Sequence, residues 1–203
     1  MAHDEVQSPD NPGRRRFLTA TTAVVGAVGA GFAAVPFIKS WNPSARAKLA
    51  GAPVIRSIAD IEEGKQVEVM WRGQPIYVAR RSKAMLATLP GMNGAVVDPE
   101  STNAEQTPAF AKNEYRSIKP EILVLVGVCT HLGCAPQFIP EVKPQAFDPD
   151  WKGGYFCPCH KSKYDIAGRV YHAQPAPLAL PVPPYHFQDE QTLVIGVAPT
   201  GAA

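Results

Sequence analysis

Two hydrophobic patterns divide the chain. From Phe17 to Ile38 no charged residue occurs, a run of 22 positions. As a helix it would span about 33 Å, enough to cross a bilayer core of about 30 Å. An export h-region is usually only about 7 to 15 residues long, so the length argues for a retained anchor. Against retention, the run is rich in Gly, Ala and Thr, and Ala45-Arg46-Ala47 offers a small-residue cleavage site. From Val54 onward the pattern is shorter and strand-like. Gln66 to Trp71 alternates, Arg72-Gly73 predicts a turn and Ile76 to Arg80 returns, which together predict a hairpin. Ser82 to Leu89 predicts a short helix stopped by Pro90-Gly91. Residues 91–114 read as loop. Glu121 to Val128 is an apolar run of strand length, Tyr155-Phe156 a shorter one, and Arg169 to Tyr171 and Thr192 to Val197 read as closing strands. The expectation is a mainly β protein: an N-terminal transmembrane helix followed by a soluble antiparallel β-sandwich head.

The boundaries follow from composition. Residues 1–16 form a leader, polar and Pro/Gly-containing through position 13 and read there as disordered, ending in the twin-arginine pattern Arg14-Arg15-Arg16-Phe17-Leu18. Residues 17–38 are the anchor, 39–53 a tether and 54–203 the head, with a small subdomain at about 127–178. Three arginines before the span hold that end in the cytoplasm and send the head across a bacterial inner membrane to the periplasm. The tether is small, polar and bracketed by prolines. About 12 flexible residues reach at most about 40 Å, enough for a head to swing between sites, although a fixed spacer has the same composition. The 21 prolines argue for a loop-rich fold, and 45% apolar residues with a net charge of +2 give no support to nucleic-acid binding.

Both strand-like runs lead into cysteine-histidine boxes, Cys129-Thr130-His131-Leu132-Gly133-Cys134 and Cys157-Pro158-Cys159-His160-Lys161-Ser162-Lys163-Tyr164. These hold all 4 cysteines and two of the 5 histidines. Each box offers one Cys/His pair and one cysteine more than the pair needs. A binuclear iron-sulfur cluster with two thiolates and two imidazoles requires two of each, and Cys129/His131 with Cys157/His160 fit that count. Cys134 and Cys159 would then lie side by side if the loops converge. A bridge between them, closing about 26 residues, stabilises by about 3 to 4 kcal/mol in the chain-entropy model. A structural zinc site drawn from any four of the six positions stays open at this point. His3, His172 and His186 have no partner at ligand spacing.

The boxes resemble those of the Rieske proteins, specifically the disulfide-bearing type of cytochrome bc complexes. The resemblance implies that Cys129 and Cys157 bind the inner iron of a 2Fe-2S cluster and His131 and His160 the outer one, with Cys134 and Cys159 paired. It implies that Ser162 and Tyr164 donate hydrogen bonds to sulfur, which stabilises the reduced state. It also implies that Gln174-Pro175-Ala176-Pro177, running on to Pro183-Pro184, is a proline loop covering the cluster. Leu132, Gly133, Lys161, Pro175 and Pro177 would then face quinol or cover the cluster.

By the same resemblance the chain is similar to iron-sulfur subunits of bacterial ubiquinol:cytochrome c reductases. His160 and His131 would be the catalytic residues, accepting a hydrogen bond and a proton from ubiquinol as one electron is taken up. The partners would be a cytochrome b subunit, a membrane-bound c-type cytochrome and membrane lipid, in a dimeric complex. The alternative of the same chemistry is the small Rieske subunit of an arsenite-oxidase-like periplasmic enzyme, and the non-redox alternative is a zinc-stapled binding module. Two positions depart from the family. Lys161 stands where the second box usually has glycine, so it is strained if that residue has positive φ; its cation is expected to lower the redox-linked pKa of the histidines and raise the potential. Gln174 stands where glycine often precedes Pro-Ala-Pro, which leaves the loop's shape open.

Overall fold

The computed structural model describes residues 11–44, 47 and 51–201. It divides into two compact units, Met1–Lys48 and Leu49–Ala203. In the first, helix α1 runs from Pro12 to Ser40. Local chemistry sets its start: the Asn11 side chain accepts the Arg14 N–H at 3.0 Å, and Pro12 occupies the first turn, where a missing N–H costs nothing. The helix therefore begins inside the stretch read as leader, and Arg14 to Arg16 lie on its first turns. Its most apolar 18-residue window has a mean hydropathy of 1.8 and none of it is buried against protein. Of the tether, residues 45, 46 and 48–50 lie outside the described residues, as does His3.

The second unit contains three three-stranded antiparallel sheets. The first joins β1 (Val54–Ser57), β9 (Thr192–Ile195) and β8 (Tyr185–Phe187), in that order. The second joins β2 (Gln66–Trp71), β3 (Gln74–Arg80) and β4 (Ile122–Val126), and contains the expected hairpin. Arg72 and Gly73 both have positive φ, 51° and 75°, the turn geometry that suits the twist of adjoining strands. The third joins β5 (Gln137–Ile139), β6 (Gly154–Phe156) and β7 (Lys163–Tyr164). All of β4 is buried, and Val78, Leu125, Tyr155, Leu193 and Ile195, drawn from all three sheets, share one core.

Several local expectations need correction. Ser82 to Leu89 is not one helix but part of two single turns, α2 (Lys83–Leu86) and α3 (Leu89–Met92). Pro90 does not stop a helix. It sits in the first turn of α3, where its ring is tolerated. Arg169 to Tyr171 form no strand, only the isolated bridges Tyr164↔Val170 and Val96↔Tyr171. Strands β1, β5, β7 and β8 have four residues or fewer, too few to display a period, and exist because a neighbour pairs with them.

Three buried arginines fasten the segment after the second box. Arg81 donates to Ile166 O, Arg116 to Ala167 O, and Arg169 to the Asp165 carboxylate at 2.6 Å. Burial pulls the Arg81 and Arg116 guanidinium pKa values down to about 10, so both stay charged at neutral pH. Their charge is spread over backbone carbonyls, including Pro120 O and Leu180 O. Removing one partner from such a network leaves a buried group unsatisfied, which is strongly destabilising.

Candidate metal centre

The two boxes are one loop built twice. In the first, Cys129 N–H donates to Cys134 O at 2.7 Å and Gly133 N–H to Cys129 O at 3.0 Å. In the second, Cys157 N–H donates to Ser162 O at 2.8 Å and Lys161 N–H to Cys157 O at 2.9 Å. The fifth residue has positive φ in each, 86° at Gly133 and 64° at Lys161. Box one connects β4 to β5 and box two connects β6 to β7. Gly127 sets the entry to the first: a Cβ there would lie 2.5 Å from the Tyr77 ring. That ring stacks on Tyr155 of β6, 6.0 Å between centroids, and its hydroxyl donates to Pro136 O at 3.0 Å.

The ligand-type side chains of the two loops meet. Residues Cys129 and Cys157 are 2% and 1% exposed, and both are free cysteines. Burial pushes the Cys157 thiol up, and neighbouring Cys129 adds to the shift. The His131 and His160 rings lie 4.6 Å apart between centroids, almost perpendicular. His131 Nδ1 is buried with no hydrogen-bond partner, whereas His160 is exposed. Cys134 and Cys159 form a disulfide with a Cα–Cα distance of 6.7 Å. The Cys157 sulfur lies within 4.8 Å of both disulfide sulfurs. That trio is no metal shell, because two of its sulfurs are bonded to each other.

The donor set fits a cluster held by two thiolates and two imidazoles. The buried Cys157 thiol resists ionisation unless a cationic metal takes up its thiolate. An orphaned buried ring nitrogen costs about 1–3 kcal/mol unless a partner fills its lone pair. Both features sit on residues singled out for ligation.

Around them, the Tyr164 hydroxyl lies 3.1 Å from Cys129 Sγ and accepts the Thr130 N–H at 3.3 Å. Burial, with Cys129 beside it, pushes the Tyr164 phenol well above its ordinary range, so it is a neutral donor. Ser162 is fully buried and its Oγ accepts the Ala176 N–H at 3.1 Å. Its proton has no protein acceptor among the described residues. Leu132 is 72% exposed at the tip, and Pro175, Pro177 and Lys161 are exposed as well. Lys161 therefore carries both features weighed from sequence: the left-handed backbone of a glycine position and a solvent-facing cation beside His160.

Sequence reasoning passed over Thr130, whose Oγ1 donates to Leu178 O at 2.6 Å and ties the proline loop to box one. The only available signal was a hydroxyl residue between two ligands. Asp148 and Lys163, paired at 2.7 Å, were also missed; 15 residues separate them, and only the β5–β6 connection brings them together. His172 is exposed, and the His186 ring bonds Val197 O at 3.1 Å.

Residues 52–184 match the family model described as Rieske [2Fe-2S] domain, and residues 5–44 match that of the ubiquitinol-cytochrome C reductase Fe-S subunit TAT signal. The chain is 51% identical to the ubiquinol-cytochrome c reductase iron-sulfur subunit of Allochromatium vinosum, over 92% of this chain and 89% of that one. It is 40% identical to the same subunit of Bradyrhizobium diazoefficiens, over 93% and 97%. With the mitochondrial cytochrome b-c1 complex subunit Rieske of Neurospora crassa it shares 39% identity over 89% and 69%.

Proposed function

The chain belongs to the Rieske iron-sulfur family, and from that premise we propose that it is the electron-transfer subunit of a membrane-bound ubiquinol:cytochrome c reductase, active within that complex and contributing to proton translocation. The observation that carries this reading is the meeting of two buried thiols, two imidazoles and a disulfide in paired loops, within a chain whose curated relatives are named as that subunit. Those names favour it over the arsenite-oxidase-like alternative, and family membership favours a 2Fe-2S cluster over structural zinc.

Cys129 and Cys157 hold the inner iron in this reading, and His131 and His160 the outer one. When bound, the cluster supplies one-electron redox chemistry. The protein's own groups do the rest. His160, exposed at the tip with Leu132 beside the boxes, takes the hydrogen bond and the proton of ubiquinol at its ring, with His131 as the second ligand imidazole. Leu132 and Gly133 give the quinol an apolar, close-fitting surface, and Lys161 adds a fixed positive charge. With Cys129 bound as a thiolate, the Tyr164 hydroxyl 3.1 Å away donates to its Sγ, which favours added negative charge on that side. Pro175 and Pro177 cover the centre with backbone that has no N–H to offer. The disulfide keeps the two loops from separating.

The helix α1 anchors the subunit in the bacterial inner membrane as a single span, the part of the 39–53 stretch that follows Ser40 tethers the head, and the head faces the periplasm. There a cytochrome b subunit and a c-type cytochrome are its partners in a dimeric complex. An exported compartment is also where a disulfide persists, and a twin-arginine signal suits a head that is loaded and folded before export. The test is electron paramagnetic resonance of reduced membranes with quinol:cytochrome c activity measured beside it. A rhombic signal that appears when quinol reduces the membranes is the expected result; a colourless protein silent even when reduced overturns the metal assignment, and a signal that appears with arsenite but not with quinol overturns the partner assignment.

A further inference from the structure

The proline loop is sewn to both boxes at three points. Thr130 Oγ1 of box one donates to Leu178 O at 2.6 Å, and Ser162 Oγ of box two accepts from Ala176 N–H at 3.1 Å. The third stitch is made by a side chain acting in place of backbone: Lys163 N–H donates to Gln174 Oε1 at 3.0 Å. Lys163 lies in β7, which pairs on one side with β6 through Phe156. On the other edge its carbonyl accepts Tyr171 N–H at 3.1 Å, so an antiparallel ladder calls for a second acceptor opposite Lys163 N–H. The chain does not offer a carbonyl there, because it turns away at His172 and Ala173, the latter at φ 54°. The Gln174 amide replaces the missing peptide. Its oxygen takes the Lys163 N–H while its Nε2 donates to His172 O at 3.2 Å, which holds the amide across the mouth of the turn.

We propose that Gln174 is a positioning residue, a surrogate peptide group that keeps β7 and the proline loop in register beside the metal centre. A glycine at this place has no side chain and could not fill the role. Lys163 stands between Ser162 and Tyr164, so slack in β7 displaces both hydroxyls, one of which lies 3.1 Å from Cys129 Sγ. The effect on the cluster rests on the function proposed above; the effect on Lys163 does not.

The full-length protein carrying Gln174→Met keeps the side-chain length without either bond, and Gln174→Glu keeps the oxygen acceptor alone. In Gln174→Met, amide exchange at Lys163 and Ala176 is expected to rise about tenfold, the scale of one lost hydrogen bond, with β3 and β4 unchanged. In Gln174→Glu, Lys163 is expected to return to within about twofold of the unsubstituted rate, since its acceptor survives. The resonance positions of the reduced protein should shift and its midpoint potential fall in Gln174→Met, which an amide serving only as scaffold would not cause. Unchanged exchange at Lys163, a Glu variant as fast as Met, or a rise spread evenly over β3 and β4 overturns the stitch. Faster exchange with an unaltered spectrum and potential overturns its role at the centre. If the unsubstituted protein shows no rhombic signal, the metal reading fails while the exchange result still decides the stitch.

Discussion

Boxes 129–134 and 157–162 share a hydrogen-bond frame but fill it differently. In the first the third residue is His131 and the sixth is Cys134; in the second the third is Cys159, the fourth His160 and the sixth Ser162. The frame fixes where each loop turns, while the filling decides which cysteine stays a free buried thiol and which bridges to the other loop. The position that the frame constrains most is the fifth, where left-handed backbone is required. Box one meets the requirement with Gly133 and box two with Lys161. A left-handed non-glycine residue costs about 1–2 kcal/mol, so box two carries strain that box one does not. Box two is also the more heavily buttressed, by Gln174, by the Lys163–Asp148 pair at 2.7 Å and by the stacking of Phe147 on Phe156 at 4.0 Å.

The first way to break the comparison is at the ligands. If the loops contribute equally to one centre, as proposed, Cys129→Ser and Cys157→Ser each abolish the rhombic signal and the visible absorbance. A signal surviving in either variant would show that the loops are not equivalent. Next in size is the disulfide. Cys134→Ala with Cys159→Ala should lower unfolding free energy by about 3 to 4 kcal/mol by denaturant titration under oxidising conditions, with no change expected under strong reductant.

Exchanging the fifth residues sharpens the comparison further. Gly133→Lys is expected to cost about 1–2 kcal/mol, and Lys161→Gly to gain about 1 kcal/mol or less, strain relief being partly offset by the greater freedom of unfolded glycine. Thermal melts of the two variants in opposite directions are the expected result; a destabilised Lys161→Gly would mean that the lysine side chain holds box two in some other way.

The smallest effect concerns the buttress that only box two has. Burial alone would push the Asp148 carboxyl up, but the Lys163 ammonium and the Asp150 N–H hold it below its ordinary value of 3.8. A lowered folded pKa stabilises the fold above the unfolded pKa and is lost as pH falls through the folded one. Asp148→Asn should therefore cost about 1 kcal/mol at neutral pH, and denaturant midpoints should converge with those of the unsubstituted protein as the solution is acidified through the carboxylate range. A gap that persists in acid would assign the loss to packing.

What the chain's letters settled by themselves was chemistry and punctuation. The long apolar N-terminal helix follows from an uncharged run, the β2–β3 hairpin from alternation around Arg72-Gly73, and the two boxes from the spacing of six Cys and His residues, because each of these is local. Tertiary structure decided what depends on distant partners. The third sheet rests on strands too short to have a period, the Arg81, Arg116 and Arg169 network reaches across as many as 85 residues, and the left-handed fifth position of each box shows only in backbone torsion. Gln174 illustrates the division. As a letter it marked a departure from an expected glycine, and only the open edge of β7, brought opposite it by the turn at Ala173, gives its amide a hydrogen bond to make.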